Sequence, residues 1–116
     1  MSDTSADWAL NLHVECTDET ALVVCRGRLV AGVNDAFYLK ISPLFLVTKR
    51  VVLDLKELSR MDSMGLGALV RLYVSARSAG CTLELIRPSK QIRELLGMTH
   101  LLSVFAVIGE GGVRLG

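Results

Sequence analysis

Four residues at the start of a helical pattern have types and spacing that could carry chemistry. In the stretch SRMDSMGLGAL at 59–69, an acid and a hydroxyl, Asp62 and Ser63, precede two glycines, Gly65 and Gly67. Glycine weakens a helix by about 1 kcal/mol relative to alanine. Two glycines in a first turn therefore indicate that bare backbone has a use at this position.

Two roles for Ser63 agree with a helix entrance. Its hydroxyl could accept a hydrogen bond from a first-turn N–H group as an N-cap, worth about 1 kcal/mol, and Asp62 could do the same. Alternatively, Ser63 could accept a phosphate group. The added charge, about −1.5 to −2 at pH 7, would be tolerated at a helix N-terminus, while a docked partner would meet a bulky dianion. Such a residue would switch binding without changing the fold.

The same stretch does not support an enzyme. A nucleophile elbow has the pattern G-x-S-x-G, but Met61 stands where the first glycine belongs, and neither His13 nor His100 falls in a plausible partner loop. A nucleotide-binding P-loop needs a lysine after its second glycine, where this chain has Ala68. We therefore predict no catalytic residue, cofactor or metal site.

Asp54 is a second candidate for a phosphorylation site. Asp54 lies near the end of the apolar run RVVLDL, as the acceptor aspartate does in response-regulator receivers. Receivers also need an acidic pair after the first strand and a lysine after the last one. Here the first strand ends at Glu15 and Cys16, and no basic residue follows 104–108 until Arg114. Asp54 is interpreted as a structural carboxylate.

Hydrophobic periodicity places these residues in a strand–helix alternation that favours an α/β domain with mostly parallel strands. An antiparallel hairpin is predicted first, and the first helix is expected to kink or restart at Ser42–Pro43. A frayed lead-in is expected at 1–8 and a flexible tail at 109–116. The predicted strands are 9–16, 21–27, 50–55, 81–86 and 103–108, and the predicted helices are 33–41, 64–79 and 89–98.

Two helices show distinct apolar faces. On the second helix the pattern predicts a sheet-facing side and an outward-facing side. The first set is Leu66, Leu69, Val70, Tyr73, Ala76 and the stem of Arg77; the second is Met64, Ala68 and Leu72. The first helix and its continuation carry more apolar residues than one sheet can cover, which favours a homodimer or another partner there. They are Phe37, Leu39, Ile41, Leu44, Phe45, Leu46 and Val47.

Composition limits the class of protein further. The chain has 116 residues, of which 51% are hydrophobic, with a net charge of +1. It has no basic stripe that would track a nucleic acid backbone, so no direct nucleic-acid contact is predicted. No apolar run reaches the roughly 18 residues of a membrane span. The N-terminus lacks a signal layout, and Cys16, Cys25 and Cys81 are interpreted as small buried residues. These features predict a soluble cytoplasmic domain.

From Val51 onward the sequence resembles the STAS domain, and more narrowly the bacterial anti-sigma factor antagonists. The resemblance rests on the motif Asp62-Ser63-x-Gly65-Leu66-Gly67, which follows the predicted strand VVLDL. The resemblance implies one domain at 9–108, a mixed sheet of four to five strands with an N-terminal antiparallel hairpin, and helices packed against that sheet.

The resemblance also implies the function. An unphosphorylated antagonist binds an anti-sigma factor that is also a serine kinase. Phosphorylation of the serine, here Ser63, releases it, and a serine phosphatase reverses the step. The implied partner-binding residues are Asp62, Ser63, Met64, Gly65, Leu66 and Gly67.

One segment departs from the family pattern. Where such proteins have a G-E-L-D-like turn, this chain has Gly27-Arg28-Leu29-Val30, without the acid that helps contact the kinase. The alternative function is a STAS scaffold subunit of a stress-sensing or lipid-transport complex, in which Ser63 is only a cap.

Overall fold

Strands and helices alternate after an initial hairpin, as predicted. The computed structural model describes residues 10–98 and the backbone of 106–108. The expected lead-in at 1–8, the tail at 109–116 and the first half of the last predicted strand lie outside the described residues. The elements are β1 Leu10–Thr17, β2 Thr20–Leu29, α1 Asn34–Ile41, a 3₁₀ helix Ser42–Leu46, β3 Arg50–Met61, α2 Ser63–Ala79, β4 Thr82–Ile86, α3 Lys90–Met98 and β5 Ala106–Ile108.

In the described part of the chain, the strands form one mixed sheet in the order β1-β2-β3-β4-β5. β1 and β2 form an antiparallel hairpin, and every later pair is parallel. This arrangement confirms the predicted α/β architecture with its N-terminal hairpin. Parallel neighbours need crossover connections, which the helices supply.

β3 is longer than the apolar run RVVLDL predicted. It continues from Leu55 to Met61 because the end of β2 pairs with it through two register shifts, which bring Leu29 opposite Met61. After Leu55 the only buried residue of this extension is Leu58, so the continuous apolar run typical of a strand covered on both faces stops halfway along β3. The extension places the start of α2 beside the end of β2.

The buried face of α2 differs from the predicted one by about one residue. Leu69 and Ala76 are buried as predicted, and Leu66 and Tyr73 pack against the core, but Val70 is 37% exposed. The buried positions are Gly65, Ala68, Leu69, Leu72 and Ala76. Gly65 contacts the end of β2. The buried stripe of α2 therefore begins at Gly65 and continues three, four, seven and eleven residues later. The prediction that Ala68 and Leu72 face away from the sheet was wrong.

The first helix ends at the predicted place. α1 stops at Ile41, and the 3₁₀ helix begins with Ser42 and Pro43. Phe37, Ile41 and Phe45 enter the core, whereas Leu39, Leu46 and Val47 are 67%, 80% and 74% exposed. The expectation that this segment cannot bury all its apolar side chains is confirmed.

Two of the three cysteines are buried. Cys25 and Cys81 belong to the core, whereas Cys16, near the end of β1, is exposed. The interpretation of all three as buried residues was therefore wrong for Cys16, since β1 is an edge strand of the described sheet and its last three residues are exposed.

Candidate functional site

The start of α2 is attached to the sheet through backbone. The N–H group of Asp62 donates to the carbonyl oxygen of Leu29 at 3.3 Å, across the last pair of β2 and β3. Asp62 has an extended conformation, with φ −108° and ψ −172°, and its own carbonyl accepts the first helical hydrogen bond from Leu66 at 2.9 Å. The chain therefore turns from strand to helix within one residue.

Asp62 is the N-cap of α2. Its Oδ1 accepts hydrogen bonds from the N–H groups of Met64 and Gly65, both at 3.0 Å, and its Oδ2 accepts one from Ala31 at 2.9 Å. The bond from Ala31, followed by that from Gly65, holds the pKa of this carboxyl below its usual range. Of the two predicted caps, Asp62 is the correct one, and the cap role for Ser63 is wrong.

Ser63 is the first residue of α2 and is exposed. Its hydroxyl forms no hydrogen bond with any residue that the structure describes. The neighbouring Met64 is 50% exposed, so a hydroxyl and a large apolar side chain stand next to each other at the helix entrance. Ser63 thus offers an accessible nucleophilic oxygen that the fold itself does not use.

The two glycines have different surroundings. A Cβ on Gly65 would lie 2.8 Å from Cγ of Leu29 and closer still to its carbonyl oxygen, so Gly65 is bare because the chain itself packs there. A Cβ on Gly67 would meet nothing within 4 Å. Partner binding by Gly65 and Gly67 stays a prediction, and of the two only Gly67 has open space where a side chain would stand.

An exposed apolar surface continues from Ser63 along α2. We name it the α2 face; its members are Ser63, Met64, Gly67, Val70 and Val74. Val74 is 57% exposed, more than Met64 or Val70. Sequence reasoning missed Val70 and Val74 because it placed the buried stripe one position off. Beginning the stripe at Gly65 would have placed both valines outside.

The segment without the family acid borders this site. Arg28 and Val30 are half-buried, and between them Leu29 is fully buried beneath Gly65. The N–H group of the next residue, Ala31, donates its hydrogen bond to the chain's own Asp62 carboxylate. The Gly27-Arg28-Leu29-Val30 turn is thus structurally joined to the first turn of α2.

Asp54 lies within β3, not at its end, and is buried with 4% exposure. Its Oδ1 accepts hydrogen bonds from Arg87 Nε at 3.2 Å and from the Lys56 N–H at 3.1 Å, and Arg87 Nη2 binds Oδ2. Burial alone would raise the pKa of Asp54, but the bond from Arg87 and then that from Lys56 bring the pKa below its usual value. Such bonding agrees with a structural carboxylate.

Two further findings concern residues 10–98 alone. No group of three or more His, Cys, Asp or Glu side chains there could hold a metal ion. Within the same range, none of the helices has the length and apolar character needed to cross a bilayer.

The STAS domain family model matches residues 11–110, and the chain therefore belongs to that family. Three solved structures share its fold at 20% identity. An anti-sigma factor antagonist from Mycobacterium paratuberculosis has a TM-score of 0.76, covering 90% of this chain and 89% of the other. The antagonist SpoIIAA in its unphosphorylated form gives 0.73, with 85% and 87% covered. The Bacillus SpoIIAA in its phosphorylated form gives 0.69, with 85% and 90% covered.

Proposed function

We propose that this protein is an anti-sigma factor antagonist in a partner-switching circuit of the cytoplasm. Unphosphorylated, it binds an anti-sigma factor that is also a serine kinase, and so regulates transcription without touching nucleic acid. Phosphorylation of Ser63 ends the complex, and a serine phosphatase restores it. The chain itself acts by binding and catalyses no reaction.

The observation that carries the proposal is the accessibility of Ser63. Its hydroxyl is exposed and unbonded within the described residues, while Asp62 caps the helix and fixes the turn. Met64 and Gly67 beside it supply apolar contact and an open backbone position for a partner. A phosphate at Ser63 would change this surface and leave the cap in place.

The energies favour a switch in binding over a switch in folding. A helix N-terminus stabilises an anion by about 0.3–1 kcal/mol, and the nearby Asp62 carboxylate opposes a phosphate, so the two effects on the fold nearly offset. At an interface, like-charge contact or desolvation costs several kcal/mol. A penalty of about 3 kcal/mol weakens binding by about a hundredfold.

The structures of SpoIIAA support this view by analogy. That antagonist has been solved both phosphorylated and unphosphorylated, and both forms share the fold of this chain. The STAS fold is thus compatible with phosphorylation in that protein, as the Asp62 cap would allow here.

The test compares four purified baits in lysate of the source organism: the wild type, Ser63→Ala, Ser63→Asp and Ser78→Asp. Ser78 is an exposed serine in the last turn of the same helix, about 22 Å along the axis from Ser63, so Ser78→Asp adds the same charge far from the helix entrance. A captured ATP-binding protein is then purified and given the wild type or Ser63→Ala with labelled ATP.

We expect a kinase-like protein to be held by the wild type, Ser63→Ala and Ser78→Asp, and lost by Ser63→Asp. It should label the wild type and not Ser63→Ala. If circular dichroism shows all four baits folded and Ser63→Asp retains every partner, or if Ser63→Ala is labelled as strongly as the wild type, the switch at Ser63 is disproved.

A scaffold role is the second candidate, and the apolar surface of Leu39, Leu46 and Val47 favours it. These side chains are more exposed than any apolar member of the α2 face. In a scaffold subunit, or a homodimer, this surface would be covered by another chain. Leu46→Glu should then remove partners that Ser63→Asp retains, and sedimentation of the wild type at high micromolar concentration separates a dimer from a monomer.

A further inference from the structure

The strand β1 (Leu10–Thr17) forms one edge of the sheet that the structure describes. It has eight residues, whereas a strand commonly has about five or six. At the opposite edge, β5 spans only Ala106–Ile108 among the described residues. Of the two edges, β1 therefore offers the longer row of backbone groups.

The backbone groups of β1 point alternately toward β2 and away from it. Thr17 pairs with Thr20 across a two-residue turn, and the register continues unbroken to Leu10. A pair that closes such a turn exchanges both its hydrogen bonds, and bonded pairs recur at every second residue. The odd-numbered residues of β1 therefore bond to β2, and the even-numbered residues direct their N–H and C=O groups to the outer edge. The outward-directed residues are Leu10, Leu12, Val14 and Cys16.

This edge lacks the features that usually prevent pairing with another chain. Such edges are commonly protected by lysine, proline, a β-bulge or an inward-pointing charge. The sequence LNLHVECT contains neither lysine nor proline, and its pairing with β2 has no register shift. The inward-facing side chains of Leu10, Leu12 and Val14 are apolar and pack against the core. Within the described part of the chain, no strand covers this edge. β1 can therefore accept a further strand.

The exposed face of β1 is complementary to itself. His13 and Glu15 lie there with side chains 58% and 66% exposed, and His13 Nε2 lies 3.2 Å from Glu15 Oε2. In an antiparallel pair of two β1 strands centred on Val14, His13 of each copy stands opposite Glu15 of the other. These two positions form non-hydrogen-bonded pairs, in which side chains approach most closely. Complementary groups placed directly opposite stabilise a strand pair.

Other registers lose this match. A pair centred on His13 sets two imidazoles opposite each other, and one centred on Glu15 sets two carboxylates opposite each other, which destabilises the pair. Centred on Val14, Val14 pairs with itself and Leu12 pairs with Cys16. Outward-directed backbone groups then meet their counterparts in the other copy and form about six hydrogen bonds.

A second charge match lies at the end of this pairing. A groove of about 280 Å³ between β1 and α1 has Leu10, Leu12 and Lys40 in its lining. In the register centred on Val14, Leu10 stands opposite Asp18 of the second copy, so an exposed acid arrives beside the exposed Lys40. Neither Asp18 nor Lys40 belongs to an ion pair within the described residues. Both are therefore available to a second copy.

We propose that β1 pairs with β1 of a second copy of this chain, antiparallel about a twofold axis at Val14, so that one sheet continues through both copies. A single strand pair is a small interface, and the dimer is therefore reversible, with a dissociation constant on the order of 10–100 μM. The inference does not depend on the proposed antagonist function. It also differs from a homodimer through Leu39, Leu46 and Val47, which would leave the edge of β1 open.

The first test is sedimentation equilibrium of the full chain from about 5 to 500 μM. It compares the wild type with His13→Glu, the exchange His13→Glu/Glu15→His, Ser78→Asp and Leu46→Glu. His13→Glu sets carboxylates opposite each other and should weaken the dimer by at least about tenfold. The exchange restores the match and should return the dissociation constant to within about threefold of the wild type. Ser78→Asp, which adds a negative charge on α2, and Leu46→Glu should both dimerise as the wild type does.

An oxidative cross-link tests the register. Val14→Cys/Cys16→Ser sets a thiol opposite the same thiol in the second copy, at a Cα separation of about 5.5 Å that a disulfide can span. Leu12→Cys/Cys16→Ser is the matched control, because the Leu12 positions of the two copies lie more than about 13 Å apart in this register. Non-reducing electrophoresis should show a linked dimer for the first variant only, with circular dichroism confirming that both are folded.

Each other result overturns the proposal. A wild type that stays monomeric up to the highest concentration, or a dimer that survives His13→Glu, would remove the β1 interface. Equal weakening by His13→Glu and Ser78→Asp would reduce the effect to net charge. A dimer lost only in Leu46→Glu would place the interface on the apolar segment after α1. An exchange variant that stays monomeric, or a cross-link at Leu12, would exclude the register centred on Val14.

Discussion

The Oδ2 atom of Asp62 accepts a hydrogen bond from the backbone N–H of Ala31 at 2.9 Å, 31 residues earlier in the chain. Through Oδ1, the same carboxylate caps the first turn of α2. One side chain therefore joins the segment after β2 to the helix that presents Ser63. The position of Ser63 depends on an acid whose oxygens all serve the fold.

The first prediction concerns this acid. Asp62→Ala should lower the melting temperature by several degrees, because two backbone donors of α2 and that of Ala31 lose their acceptor. Asp62→Asn should retain part of the stability, since its amide oxygen can still cap the helix. Thermal unfolding followed by circular dichroism at pH 7 measures both changes.

The pH dependence of Asp62 has a definite sign. Its folded pKa is lowered, so its contribution is fully present above the unfolded pKa, about 3.9, and is lost as pH falls through the folded value. The stability difference between the wild type and Asp62→Asn should therefore be largest at neutral pH and shrink below about pH 4. A difference that grows on acidification would contradict this role.

The second prediction concerns the buried ion pair. Arg87→Leu leaves the Asp54 carboxylate buried with only the Lys56 N–H to bond it. We expect a loss of about 2–3 kcal/mol in urea unfolding. The value lies below the range for fully buried pairs because the Arg87 side chain is 47% exposed. Asp54→Leu/Arg87→Leu should lose less than Arg87→Leu alone, since no charge then remains buried. A double variant that loses as much as the two single changes combined would count against the pair.

The third prediction concerns thiol reactivity. Burial, followed by the charge of Asp54, raises the pKa of Cys25 to about 12, and burial raises the pKa of Cys81 as well. Cys16 is exposed. Since the thiolate is the reactive form, a disulfide reagent at pH 8 should modify one thiol rapidly in the native chain and all three in denaturant. Cys16→Ser should abolish the rapid phase. Rapid modification of a second thiol in the native chain would contradict the prediction and show that the core around Cys25 or Cys81 opens.

Hydrophobic periodicity predicted the fold because the core residues dictate it. The apolar run at 50–55 and the alternation in β1 are local signals of burial, and both correspond to strands. The extension of β3 to Met61 was missed, since it depends on the pairing with Leu29 and not on its own residue pattern. Asp62, Ser63 and the two glycines were found from their types and spacing, and the resemblance added the partner. The difference between Gly65 and Gly67 exists only once Leu29 lies beneath one of them.

The cavity lined by Lys56, Arg87, Pro88, Ser89, Lys90 and Arg93 illustrates the same limit. Lys56 is more than 30 residues from Lys90 in sequence, and only the parallel pairing of β3 with β4 brings them to one cavity. No local pattern marks such a set, because each cation alone has the character of a solvated side chain. Contacts between segments far apart in sequence determine both the extension of β3 and the lining of this cavity.

The last prediction uses the two glycines as a matched pair. Gly65→Ala should destabilise the chain by about 1–3 kcal/mol, since overpacking against the Leu29 backbone outweighs the better helix propensity of alanine. Gly67→Ala should stabilise it by about 0.5–1 kcal/mol, because its Cβ enters open space. If Gly67 lies in the docking surface, the same methyl should weaken capture of the anti-sigma partner although the free chain is more stable. Urea unfolding and the capture assay separate the two effects: a stabilised Gly67→Ala chain with undiminished capture would place the partner elsewhere on α2.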